Sequence, residues 1–93
     1  MDNITVRSFE TRNDANYNNR HVVVNEEIEF FAFPFQGYSV NLNSKRAEVS
    51  HLTGNWSASI WQNFPDGKSK PLDHKFFEEK NDAFIWAYQQ LKA

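Results

Sequence analysis

Tyr38-Ser-Val-Asn-Leu-Asn43 alternates apolar and polar positions without a fault, and a period of two is what a strand with one buried and one wet face requires. The chain around it divides accordingly. Upstream, Ile28 to Phe35 is rich in phenylalanine and is separated from it by Gln36-Gly37, a short turn signal, while Pro34 points to an edge position or a bulge. Downstream, Asn43-Ser-Lys45 turns the chain into Arg46–Leu52, and Thr53-Gly-Asn55 turns it again into Trp56–Phe64. Pro65-Asp-Gly67 returns it into Leu72–Phe77, with Pro pre-set for one corner and Gly free to take a positive φ. Ile4–Phe9 and His21–Val24 are shorter strand candidates.

The last segment changes period. Ala83, Trp86, Ala87 and Leu91 share one face at helical spacing, flanked by Phe84 and Tyr88, which predicts an amphipathic helix over 80–92. Asp82 falls near its first turn and Lys92 in its last, both with the sign the helix dipole prefers. The expected fold is α+β: an antiparallel β-meander of about five strands packed against one C-terminal helix, in a single domain over 1–93. Residues 10–20, ETRNDANYNNR, are dense in asparagine and predict a loop.

Composition sharpens this picture. A chain of 93 residues buries only about 60–65% of its unfolded surface, so nearly every apolar side chain is needed for folding and little remains for a deep cavity. An aromatic content of 16% compensates, because each buried ring removes roughly 150–250 Å² from water. There is no cysteine, which excludes disulfides, thiol catalysis and cysteine-ligated metals and fits a reducing compartment. Met1–Arg7 has no apolar stretch of signal-peptide type and no membrane-length apolar run occurs, so the expected location is cytoplasmic. A formal charge of −2 argues against a general electrostatic grip on nucleic acid.

Catalytic equipment is not visible. His21, His51 and His74 are scattered, without metal-ligand spacing, and no metal or cofactor is expected. Asp66, Asp73 and His74 lie near Ser69 but on a predicted turn and edge, with no nucleophile elbow. The three glycines are spread one to a turn, so no phosphate cradle forms. The expectation is a binding protein rather than an enzyme.

Three features are candidates for the contact. Alternation in Trp56–Phe64 puts Trp56, Ala58, Ile60 and Phe64 on one face and Ser57, Ser59, Trp61 and Asn63 on the other. Two placements are open to Trp61: an exposed anchor of the kind that dominates interfaces, or a ring covered by the helix or the N-terminal segment. If Ile28, Phe30 and Ala32 face the core, then Phe31, Phe33 and Phe35 form an apolar stripe to be covered by the 10–20 loop, a second copy or a partner. Finally, alternate turns of a meander lie at one end of the sheet, so Lys45 and Arg46 should neighbour Lys68 and Lys70. That edge could meet phosphates or an acidic surface, or simply keep the turns solvated, with Glu26, Glu27 and Glu29 partly cancelling it.

Two resemblances add expectations. Trp56-Ser-Ala-Ser-Ile60, a hairpin, then Phe77-Glu-Glu-Lys-Asn-Asp-Ala83 and a helix resembles the DNA-binding domains of plant ethylene-response factors and the arm-binding domains of tyrosine recombinases. It covers less than half the chain and implies a sheet that reads DNA, although the strands lack the dense arginines of those families. In overall format, a short, acidic, cysteine-free, aromatic- and Asn-rich meander with one helix, the chain is similar to small phage-encoded anti-CRISPR proteins. That similarity implies a non-catalytic inhibitor docking on a bacterial nucleoprotein complex and blocking nucleic-acid engagement. Trp61, Phe31 and Phe33 would then supply apolar area and Lys45, Arg46, Lys68 and Lys70 the charge. The alternative function is direct DNA or RNA binding by the sheet.

Overall fold

A computed structural model describes residues 3–11, 19–33, 37–52 and 54–93. Its seven strands lie in chain order in one antiparallel sheet: β1 Val6–Thr11, β2 Asn19–Val24, β3 Ile28–Phe33, β4 Gly37–Leu42, β5 Lys45–Leu52, β6 Asn55–Asn63 and β7 Ser69–Phe77. One helix, α1 (Lys80–Lys92), follows. The α+β meander with a C-terminal helix is therefore present. The strand number is corrected from about five to seven, because both short N-terminal segments pair fully, from Val6 opposite Val24 to Thr11 opposite Asn19. Part of the expected 10–20 loop is strand, since Glu10, Thr11, Asn19 and Arg20 belong to that ladder. The rest of that stretch, 12–18, lies outside the described residues, as do Pro34 and Phe35.

The helix lies across one face of the sheet, chiefly over β5 and β6. Small side chains make the approach possible: Ala47 and Ala58 on the sheet and Ala83 and Ala87 on the helix are all fully buried. Larger groups fill the space beside them. Phe84 meets Phe30 and Tyr38 edge-on, with ring centroids 5.1 and 5.2 Å apart, the arrangement the ring quadrupoles favour. Val22, Val24, Ile28, Val49, Ile60 and Leu91 complete this core. The buried face of the helix is Ala83, Phe84, Ala87, Tyr88 and Leu91, so Phe84 and Tyr88, expected to flank it, belong to it, whereas Trp86 is half-buried and packs at the margin on Phe77, 5.8 Å between centroids.

Turn chemistry fixes the strand ends. Asn25 and Glu26 both take positive φ, 56° and 53°, as the central residues of a turn that Glu27 N–H closes by donating to Val24 O at 3.1 Å, with Glu27 the third residue between β2 and β3. Gly67 takes φ 90° in the β6–β7 turn, where Lys68 N–H donates to Asp66 Oδ1 at 2.9 Å. Phe64, expected on the core side, is exposed because β6 ends at Asn63 and Phe64 already belongs to that turn.

The helix C-terminus is clamped from two sides. Lys45 Nζ donates to the carbonyls of Gln90 and Ala93 at 3.2 and 3.0 Å, capping groups that the helix itself leaves unpaired. On the other side Tyr88 donates to Glu27 at 2.5 Å, Asn25 Nδ2 donates to the Tyr88 hydroxyl at 2.9 Å, and Lys92 pairs with Glu27. Hydrogen bonding from Lys92, then from Tyr88, holds the Glu27 carboxyl below its usual range, and Glu27 in turn raises Lys92.

Candidate binding surface

With one helix lying on one face, strand alternation assigns the remaining side chains to the other. A cross-strand row runs over the whole width of the sheet: Phe9, His21, Phe31, Ser39, Glu48, Ser59 and His74. A second row, Asn41, Arg46, Trp61 and Pro71, lies toward the β4–β5 turn, and a third joins Gly37, Ser50, Ser57 and Phe76. The centre is small and polar, and the aromatic groups stand at its two sides.

The first aromatic patch is a ladder. Phe9 stacks on His21 at 5.0 Å and His21 meets Phe31 at 6.3 Å. Arg7 covers Phe9 from outside, 5.1 Å from its centroid, and Glu29 lies 3.4 Å from His21. Phe31 nevertheless remains 56% exposed. A ring held by neighbours yet open to water has lost little freedom to lose again on binding, which is the property of a good anchor.

The second patch surrounds Trp61. Arg46 lies over its ring, 5.3 Å from the centroid, and is itself held by Asn63 Oδ1 at 3.3 Å and Glu48 at 3.3 Å. Asn63 also donates to Asn41 Oδ1 at 3.0 Å and accepts from Ser69 at 3.2 Å, so the indole stands in a fixed polar frame. Between Ile60 and Trp61 the β6–β7 register shifts, leaving Leu72 as an extra residue on β7. Such a bulge bends its strand and re-aims side chains. Here it opens a hollow of about 320 Å³ lined by Ser59, Trp61, Pro71, Leu72, Asp73 and His74. Trp61 Nε1 is buried beside it without an acceptor among the described residues. Leu72 and Phe76 are 45% and 59% exposed.

The expected site residues divide into groups. Trp61, Phe31 and Arg46 share the face opposite the helix, though at its two sides and not in one cluster. Trp61 is half-buried, intermediate between the two placements its position in the sequence allows. Phe33 pairs with Gly37, and its side chain lies outside the described residues. The β4–β5 and β6–β7 turns are neighbours, as a meander requires, with Asn63 N–H donating to Ser44 O at 2.7 Å. The four cations there are not equivalent, because Lys45 caps the helix and Arg46 braces Trp61, while Lys68 and Lys70 are exposed.

Phe9, His21, Leu72, His74 and Phe76 also belong to the face and were not expected there. Phe9 follows from the alternation of Val6-Arg7-Ser8-Phe9, with Val6 packed on the core; Leu72 depends on a bulge that alternation cannot show. A cationic group at the opposite end of the helix was likewise not foreseen. Lys80 lies 6.0 Å from the Tyr38 ring and 5.9 Å from that of Trp56 and donates to Ser8 Oγ at 2.9 Å, while Arg20 approaches Tyr38 at 5.8 Å. Burial first, and Arg20 second, hold the Lys80 ammonium below the usual lysine range.

Among the described residues no His, Asp and Glu side chains gather in a metal-holding group, and no helix is long and apolar enough to cross a membrane. Compared with known proteins, the chain matches no family model, no curated protein and no solved structure.

Proposed function

We propose that this chain is a non-catalytic docking protein whose uncovered sheet face is the contact surface. The observation that carries the reading is the position of Phe31, Trp61, Leu72 and Phe76 on or beside a face that no element of the described chain covers. A domain this small needs its rings for folding, so aromatic groups standing outside the core are best accounted for by a partner. The small serines between them leave room for a partner's side chains, and Glu48 is offset by Arg46.

The similarity in format to anti-CRISPR proteins supplies a concrete partner: an RNA-guided bacterial surveillance complex, whose access to target nucleic acid the docked chain would block. Phe31 and Trp61 supply apolar area, and Lys68 and Lys70 stand free to meet acidic protein or guide RNA. The test is co-elution with purified surveillance complexes together with protection of their target DNA. Phe31→Ser and Phe76→Ser should each weaken a stable association by about tenfold or more. Failure to associate with any such complex would remove this partner, and an association indifferent to both substitutions would remove the face. Direct nucleic-acid binding predicts instead a shift of free DNA or RNA at low salt that is lost steeply as salt rises.

A further inference from the structure

The free edge of β7 runs from Ser69 to Phe77, and every position but the last is exposed. An edge of this kind offers a row of backbone donors and acceptors that another strand can complete. Its side chains decide which strand fits. Read outward from His74 in both directions, Asp73 is answered by Lys75, Leu72 by Phe76 and Pro71 by Phe77, and Lys70 is answered by Glu78, just past the strand end. The segment is complementary to itself run backwards, charge against opposite charge and apolar against apolar. Among the described residues none of Lys70, Asp73, Lys75 and Glu78 takes part in an ion pair within the chain.

We infer that the chain forms a two-fold dimer by antiparallel pairing of β7 with β7 of a second copy, centred on His74. The backbone is set for that centre. The His74 N–H donates to Asp73 Oδ1 at 2.8 Å, and an N–H that reaches its own neighbour's side chain in this way lies on the free side of the strand. In an antiparallel ladder, a residue on the two-fold axis with its N–H and C=O facing the partner exchanges both bonds with its symmetry mate. On pairing, Asp73 yields that N–H to the carbonyl oxygen of His74 in the second copy and turns its carboxylate to Lys75 of the second copy. Lys75 of the first copy meets the second Asp73 in the same way. Leu72 and Phe76, largely exposed in the single chain, face Phe76 and Leu72 across the seam. Pro71 bounds the paired stretch, where its missing N–H is tolerated as it is on edge strands generally. The two sheets become one continuous, twisted sheet, and the docking faces of the two copies run on from each other. The pairing shares Leu72 and Phe76 with the proposed docking face, and Asp73 and Lys75, which that face does not use, distinguish the two.

Sedimentation velocity of the whole chain, from micromolar to roughly millimolar concentration, tests it. A dimer that dissociates on dilution is expected. Asp73→Lys places lysine opposite lysine twice, and Lys75→Asp places aspartate opposite aspartate twice. Each should weaken association by about tenfold or more, since like charges directly opposed repel. The double variant Asp73→Lys/Lys75→Asp restores both pairs and should return to within about threefold of the original. Circular dichroism identifies any variant that fails to fold, and the other single variant then decides. A monomer at every concentration, a dimer moved by neither single substitution, or a folded double variant that does not recover would each overturn the pairing.

Discussion

Phe84 and Phe31 are chemically identical and sit on opposite faces of the sheet, so under the proposed docking role they separate folding from recognition at the level of single residues. Phe84 is fully buried among Phe30, Tyr38 and Trp56. Phe84→Ala leaves a cavity at the junction of helix and sheet and should cost about 3–5 kcal/mol in equilibrium urea unfolding. Phe31 is mostly in water and touches chiefly His21. Phe31→Ser should move stability by no more than about 0.5 kcal/mol, as surface substitutions usually do, while removing an anchor for the partner. A loss above about 2 kcal/mol for Phe31→Ser would show that its ring is structural and remove it from the binding surface. Trp61 lies between these cases. Its ring is packed under Arg46 and beside Leu72, so Trp61→Ala should show a measurable loss of stability of roughly 1–2 kcal/mol as well as weakened binding.

At the scale of elements, the helix is held to the sheet by apolar contact along its length and by charge at its end. Glu27 contributes through a folded-state pKa lowered by Lys92 and Tyr88. A depressed carboxyl pKa gives stability that is complete above the unfolded value of about 4.3 and is lost as pH falls through the lower folded value. Lys92 has the opposite sign: its raised pKa gives stability that is complete below the usual lysine value and lost as pH rises through the folded one. Glu27→Gln should therefore lower the thermal midpoint at neutral pH, with the gap from the unsubstituted chain closing as the solution is acidified past the folded pKa of Glu27. A gap constant with pH would mean that the clamp acts by shape and not by charge. Most of this architecture was legible. β4 announces itself by alternation, and the Pro65-Asp-Gly67 turn by its chemistry. β1 and β2 are legible only as the short candidates Ile4–Phe9 and His21–Val24, outside the count of about five, and Val22-Val23-Val24 is a continuous apolar run with no period to read. The helix face was misplaced by a few tens of degrees because Trp86 and Phe84 fit a helical stripe equally well; the choice is made by the sheet, where Phe30 and Tyr38 offer Phe84 a site and only Phe77 at the margin is left for Trp86. The hollow beside Trp61 was not legible, since it follows from one extra residue in β7 that leaves no period of its own.

For the whole molecule, the decisive question is whether area or charge dominates recognition. The formal charge of −2 supplies no general attraction for polyanions. Of the four cations expected at one edge, two are engaged within the chain, Lys45 on the helix carbonyls and Arg46 on Trp61. Lys68 and Lys70 remain as exposed charges, and exposed charges at the rim of an interface act mainly on encounter rates and salt dependence. The double substitution Lys68→Ala/Lys70→Ala should accordingly slow association at low salt, leave dissociation nearly unchanged, and cost no more than about tenfold in affinity. Phe31→Ser/Phe76→Ser should do the reverse, speeding dissociation with little effect on the association rate, because it removes desolvated contact area at both sides of the face. Surface plasmon resonance on the captured partner at two salt concentrations resolves both rates in one experiment. If the lysine variant instead abolishes binding and the phenylalanine variant leaves it intact, the contact runs along the charged turns and the uncovered face is not the site. Among the described residues, rings at both sides of the sheet with hydroxyls between them favour the first outcome under the proposed docking role.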